Sequence, residues 1–178
     1  MAQRKFSIAS LATVFLLALT ISIEAKPKQQ KQTNIVFYMQ DWESGDNITA
    51  VAVAGLPNKP WKALQFGTVF TIDDDLTIEV DRKSAQIGRA RGLYVYSALD
   101  GSDIHLLLSL VFTGKEYNGS TLEIQGADRP FQKYREVSVV SGTGKFRLAR
   151  GYATLETAFL DIPNLNAILK WNVTIFHY

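Results

Sequence analysis

The segment IHLLLSLVFTGKEYNGSTLEIQGAD, from Ile104 to Asp128, decides the fold class. Two runs rich in leucine and β-branched residues flank Asn118-Gly119. Asn-Gly supplies the positive-φ positions of a tight hairpin turn, so the two runs read as an antiparallel pair. The first run, Ile104–Phe112, is apolar on both parities. An antiparallel strand ordinarily turns one polar face to water. This one is therefore expected at a subunit interface or buried on both sides.

The same texture extends in both directions. NIVFYMQDW (34–42), ITAVAVAG (48–55), LQFGTVFTI (64–72) and IGRARGLYVYSA (87–98) precede it. REVSVVSG (135–142), FRLARGYATLETAF (146–159) and AILKWNVTIFHY (167–178) follow. Asp100-Gly101 and Ser141-Gly142-Thr143-Gly144 mark further tight connections. No segment after residue 33 has a helical period. Short strands at even spacing predict an all-β domain. About eight antiparallel strands in up-and-down order close into a barrel with a central pocket for one small ligand.

The chain has 178 residues and is 47% hydrophobic, enough for one domain with a true core. Residues 1–25 read as a secretory signal peptide: Arg4 and Lys5, an apolar run from Phe6 to Ile23, then Glu24-Ala25. Ser and Thr interrupt the run and no stop signal follows it, which argues against a membrane anchor. Residues 26–33, KPKQQKQT, read as a flexible mature N-terminus, and 34–178 as the barrel domain. Without the leader, 17 basic and 16 acidic residues remain, a net charge of +1. That balance gives no steering toward nucleic acid. The absence of cysteine rules out disulfides and thiol nucleophiles. Three sequons, at Asn47, Asn118 and Asn172, suit a secreted glycoprotein. In the last strand Lys170, Asn172 and Thr174 share the polar parity, so Asn172 is expected to face outward.

Three charges fall on apolar parities. Asp41 shares its face with Phe37 and Met39, Asp128 with Leu122 and Ile124, and Arg135 with Val137 and Val139. Buried charges are rare unless paired. Either these residues sit at wet strand ends, or they line a pocket. In a barrel mouth an Asp in apolar surroundings gains a raised pKa and can donate a proton. Such partly solvated charges are expected to add little to stability. Tyr94 and Tyr96, on one parity of GLYVY, can bind or stack on an aromatic ligand. His105 and His177 have no third ligand or nucleophile in view and read as structural. Asp73-Asp74-Asp75 lacks the spacing of a calcium loop and reads as a charged strand end or turn. No metal site is expected.

Five ordered blocks resemble the plant dirigent proteins: FYMQDWESGDNITA, FGTVFTIDDDLT, IGRARGLYVYSALDG, LVFTGKEYNGSTLEIQGAD and REVSVVSGTGKFRLARGYATLET. The resemblance spans nearly the whole mature chain and looks closest to the branch outside the pinoresinol-forming group. It implies an eight-stranded barrel, secreted to the apoplast, glycosylated and homo-oligomeric, commonly a trimer with a dimer as the alternative. Its implied partners are phenols or their radicals, such as those of coniferyl alcohol, and an external laccase or peroxidase. It implies no cofactor, no nucleic acid and no membrane. The implied role is stereocontrol of phenoxy radical coupling to lignan-type products. Some relatives instead act as dehydratases, closing a pterocarpan ring from an isoflavanol through a quinone methide. A non-catalytic phenol-binding scaffold in lignin deposition is the third reading. The family's pocket carboxylates and arginine fall on Asp41, Asp128 and Arg135, with Tyr94 or Tyr96 nearby. Gln40 stands where the family usually has His, and Asp75 where it often has Pro. The segment RPFQKY before Arg135 also departs from the lignan-forming members, so the fold is implied more firmly than the substrate.

Overall fold

A computed structural model describes residues 29–178. The signal-peptide reading of residues 1–25 lies outside these residues. Among the described residues there are nine strands: β1 (Lys31–Trp42), β2 (Ala50–Ala54), β3 (Val69–Thr77), β4 (Gln86–Tyr96), β5 (Ile104–Phe112), β6 (Thr121–Asp128), β7 (Arg135–Gly142), β8 (Arg150–Asp161) and β9 (Asn166–His177). All neighbouring pairs are antiparallel, in the order β1-β9-β8-β7-β6-β5-β4-β3-β2. A β1–β3 pairing closes the ring, so eight strands form the barrel and β2 is an extra strand against β3. One short 3-10 helix, Gly144–Phe146, lies between β7 and β8.

The two-residue period builds the core. Phe37, Leu76, Leu110, Leu122, Leu155, Trp171, Val173 and Ile175 point inward and are fully buried. Each such apolar side chain contributes roughly 1.5–3 kcal/mol when removed from water. Asn172 faces out on β9, as its parity required. β4 and β5 approach each other closely at one point. Gly92, with φ +147°, leaves room where a Cβ would meet the Leu107 carbonyl oxygen at 2.2 Å. One barrel end is filled by Phe112, Tyr117, Phe146 and His177, whose rings meet edge-on or tilted at 4.9–5.9 Å. His177 is thus a packed residue that also pairs with the Thr33 hydroxyl at 2.9 Å.

Four expectations need correction. β1 begins at Lys31, inside the segment 26–33 expected to be a flexible tail, because Lys31, Gln32 and Thr33 pair with His177, Phe176 and Ile175. β3 runs through the three aspartates rather than ending before them. Asp73 and Asp75 turn outward to Arg89 and Arg91, and Asp74 turns in. The Asn118-Gly119 signal does not make a two-residue turn. It ends a longer connection, residues 113–120, in which Gly119 takes φ +76° and Gly119 N–H donates to the Phe112 carbonyl at 3.0 Å. Finally, β5 is not buried on both sides within one chain. Leu106, Leu108 and Leu110 point in, whereas Leu107 stays 46% exposed.

Candidate functional site

Alternation of strand direction collects the C-terminal ends of some strands and the N-terminal ends of their neighbours at a single rim. The C-terminal ends of β1, β4, β6 and β8 meet there with the N-terminal ends of β5, β7 and β9. They enclose a cavity of about 290 Å³. All five residues marked by sequence line it: Asp41, Tyr94, Tyr96, Asp128 and Arg135. The remaining wall is mostly apolar, supplied by Ile104, Leu169 and the mouth residues Leu64, Phe131, Leu160 and Leu165. A volume near the lower end of small-molecule pockets, roughly 300–1,000 Å³, suits one compact aromatic guest.

Two polar groups divide the wall. In the first, Arg135 Nη1 lies 3.3 Å from Asp128 Oδ2, and Arg135 Nη2 donates to the Thr157 hydroxyl at 3.1 Å. Both charged side chains are 2% exposed, so the expectation of partly solvated charges is corrected. Burial outweighs the arginine and raises the Asp128 pKa above the usual carboxylate range. The pair is not saturated. Asp128 Oδ1 and Arg135 Nε are buried without a partner. Orphaned groups at a cavity wall are places where a ligand's hydroxyl or phenolate oxygen would be held.

The second group is acidic. Burial, helped by repulsion from Glu43, raises the Asp41 pKa to about 7. Burial raises Glu43 to about 7 as well, against the opposing hydrogen bond from Tyr94. That bond runs from the Tyr94 hydroxyl to Glu43 Oε1 at 3.3 Å. Tyr94 stacks on Phe70 at 4.9 Å and meets Tyr96 edge-on at 6.1 Å, which fixes both rings. Burial and then the neighbouring carboxylates push both phenols above their ordinary value, so they stay neutral donors. The wall thus carries protonatable acids opposite a guanidinium, a combination that can hand over a proton and stabilise an oxyanion.

Sequence reasoning overlooked Glu43, Thr157 and Asp74. Parity would have found them. Glu43 continues Phe37-Met39-Asp41, Thr157 continues Ala153-Leu155, and Asp74 lies between Ile72 and Leu76. The asparagine of each sequon is exposed: Asn47 after β1, Asn118 in the β5–β6 connection and Asn172 on β9.

Fold and site define a small antiparallel barrel whose cavity is lined by acid and guanidinium groups. The family model described as Dirigent-like protein matches residues 32–176. Dirigent protein 1 of Arabidopsis thaliana is 36% identical over 173 residues, covering 94% of each chain. Pterocarpan synthase 1 of Glycyrrhiza echinata is 34% identical, covering 85% of this chain and 81% of its own. The solved structure of the pterocarpan synthase dirigent protein GePTS1 superposes with a TM-score of 0.80 over 84% of this chain and 87% of that one, at 34% identity. The chain belongs to the dirigent family.

Proposed function

We propose that the barrel holds one phenolic reactant in its cavity and fixes the face on which a new bond forms. The observation that carries this reading is the raised pKa of Asp41, about 7, on the wall of a cavity that also presents the Arg135–Asp128 pair. In the leading form, an external laccase or peroxidase removes one electron and one proton from each of two phenols, such as coniferyl alcohol. Their radicals combine in one carbon–carbon bond, a step that needs orientation rather than a lowered barrier. The resulting quinone methides are then closed by internal hydroxyls. Each attacking hydroxyl gives up its proton, and each methide oxygen takes one back to restore the phenol.

A second reading rests on the acids themselves. Asp41 and Glu43 both hold protons near neutral pH, more acid than orientation requires. An isoflavanol could lose its benzylic hydroxyl as water when Asp41 supplies the proton. The ring phenol releases its own proton as the quinone methide forms. A second hydroxyl adds to the methide carbon, and its proton returns to the ring oxygen. The net change is loss of one water, and no oxidant is needed. The 34% identity to a pterocarpan synthase supports this reading.

The same proposal includes secretion to the apoplast, glycans on the exposed sequons, and a homo-oligomer, a trimer before a dimer. The interface would use the outer row Val51, Thr71, Leu93 and Leu107, which neighbour one another across β2, β3, β4 and β5. Incubation with monolignols plus laccase, and with isoflavanols alone, followed by chiral chromatography, separates the readings. An optical excess only with laccase supports coupling, and turnover without it supports dehydration. Racemic or unchanged products from the whole panel, with phenol binding retained, leave a binding scaffold.

A further inference from the structure

Asp74 is a carboxyl that the cavity does not expose. It lies on β3 with its side chain turned inward and fully buried. Neither of its oxygens has a hydrogen-bond partner. The neighbouring Thr49 hydroxyl, which donates to the Gln40 carbonyl at 3.2 Å, opposes the rise in the Asp74 pKa without outweighing burial. A bare carboxylate in such a place costs several kcal/mol, so the group carries a proton.

The sheet register names its partner. β1 and β3 pair through Tyr38–Thr77, Met39–Leu76 and Gln40–Asp75. One step further sets Asp41 against Asp74, both on the inward parity. Beyond that point β2 takes the place of β1, with Ala50 opposite Ile72. Asp41 Oδ1 is also buried and unbonded. Two orphaned carboxyls therefore face each other where the barrel seam opens, one at the cavity wall and one behind it.

We propose that Asp41 and Asp74 form a carboxyl dyad that carries two protons at rest and shares the one that remains after Asp41 donates, with Asp74 a positioning residue whose O–H holds the Asp41 carboxylate in place. When Asp41 gives its proton to a leaving hydroxyl, the Asp74 O–H hydrogen-bonds the carboxylate left behind. The proton that the ring phenol releases as the quinone methide forms then restores the pair, so no proton is consumed. Burial raises Asp74, and repulsion from Asp41 adds to it. Other charges bear on the pair from each side. Glu43 just after β1 and Asp73 on β3 repel, whereas Arg89 on β4 attracts from the outer face. Tyr94 on β4 stays neutral. The dyad deepens the reading of Asp41 as the cavity acid and rests on it, but its test uses no phenol, so the two fail separately.

The test is a carboxyl ¹³C NMR titration of the intact protein, labelled at aspartate, from about pH 4 to 10, in wild type, Asp41→Asn and Asp74→Asn. Interacting carboxyls lose protons in steps that belong to the pair, and the coupling is reciprocal. The wild type should keep its last dyad proton to a pH about one unit or more above that at which either single variant loses its own. Both aspartate signals should move in both steps. Independent midpoints, equal in wild type and variants, would overturn the dyad. Should Asp74→Asn not fold, Asp41→Asn alone decides: Asp74 must then ionise at lower pH than in wild type, and an unchanged midpoint refutes the proposal.

Discussion

Arg135 Nη1 and Asp128 Oδ2 lie 3.3 Å apart on neighbouring strands, with both side chains almost completely removed from water. Removing one partner of such a pair leaves the other unpaired in a medium of low polarity. Arg135→Leu should therefore cost about 3–5 kcal/mol. Urea unfolding of wild type and variant measures it. A loss under about 1 kcal/mol would place the pair in solvent, as ordinary exposed salt bridges are. The double change Asp128→Asn with Arg135→Gln should recover part of the loss, since no ionisable group then stays buried.

Arg135→Lys should keep the charge and lose function. A planar guanidinium can hold Asp128, Thr157 and a ligand oxygen at once, while an ammonium cannot match that fork. The expected outcome is loss of optical excess, or of turnover, with the β circular dichroism unchanged. Full stereoselectivity in the lysine variant would remove Arg135 from ligand orientation.

Asp41→Asn should lower turnover in the dehydratase assay by about 10²–10⁴-fold, the range for losing a general acid. In the coupling assay the same variant should erode product stereochemistry more than the rate, because radical combination itself is fast. A variant as active and selective as wild type would show that Asp41 does not touch the reaction.

Stability should depend on pH in an unusual direction. The Asp41 pKa is about 7 in the fold, against 3.8 for a free side chain. The native state then binds more protons than the unfolded chain between pH 4 and 7, so stability falls as pH rises through that window. The stabilisation is fully present below about pH 4 and lost above about pH 7. Glu43, partly open to water, should add a smaller effect of the same sign. Chemical denaturation at pH 5, 6, 7 and 8 should show this slope, and Asp41→Asn should flatten it. An identical slope in the variant would assign the effect elsewhere.

Leu107→Glu should dissociate the oligomer without unfolding the barrel, because the side chain points away from the core. Leu108→Glu, on the inward parity, should prevent folding instead. Light scattering with circular dichroism distinguishes the two, and a monomeric wild type would end the interface proposal.

Strand after strand, the sequence alone determined the class of fold. Alternation at Phe37-Met39-Asp41 and Val137-Val139 set which face is core, because a two-residue period has one solution once apolar residues must be buried. It also marked Asp41, Asp128 and Arg135, since a charge on an apolar parity is costly unless the fold uses it. Tertiary structure decided what parity cannot carry. Asp128 and Arg135 meet because β6 and β7 are neighbours at one rim, where both side chains point into the barrel and are buried. Asp74 looked like part of a charged turn because three adjacent aspartates hide a change of face. Parity turns the middle one inward, and only the β1–β3 closure, between residues far apart in the chain, sets that strand beside the one that carries Asp41. Proton affinity at that seam depends on distance and dielectric, and neither is written in a single strand.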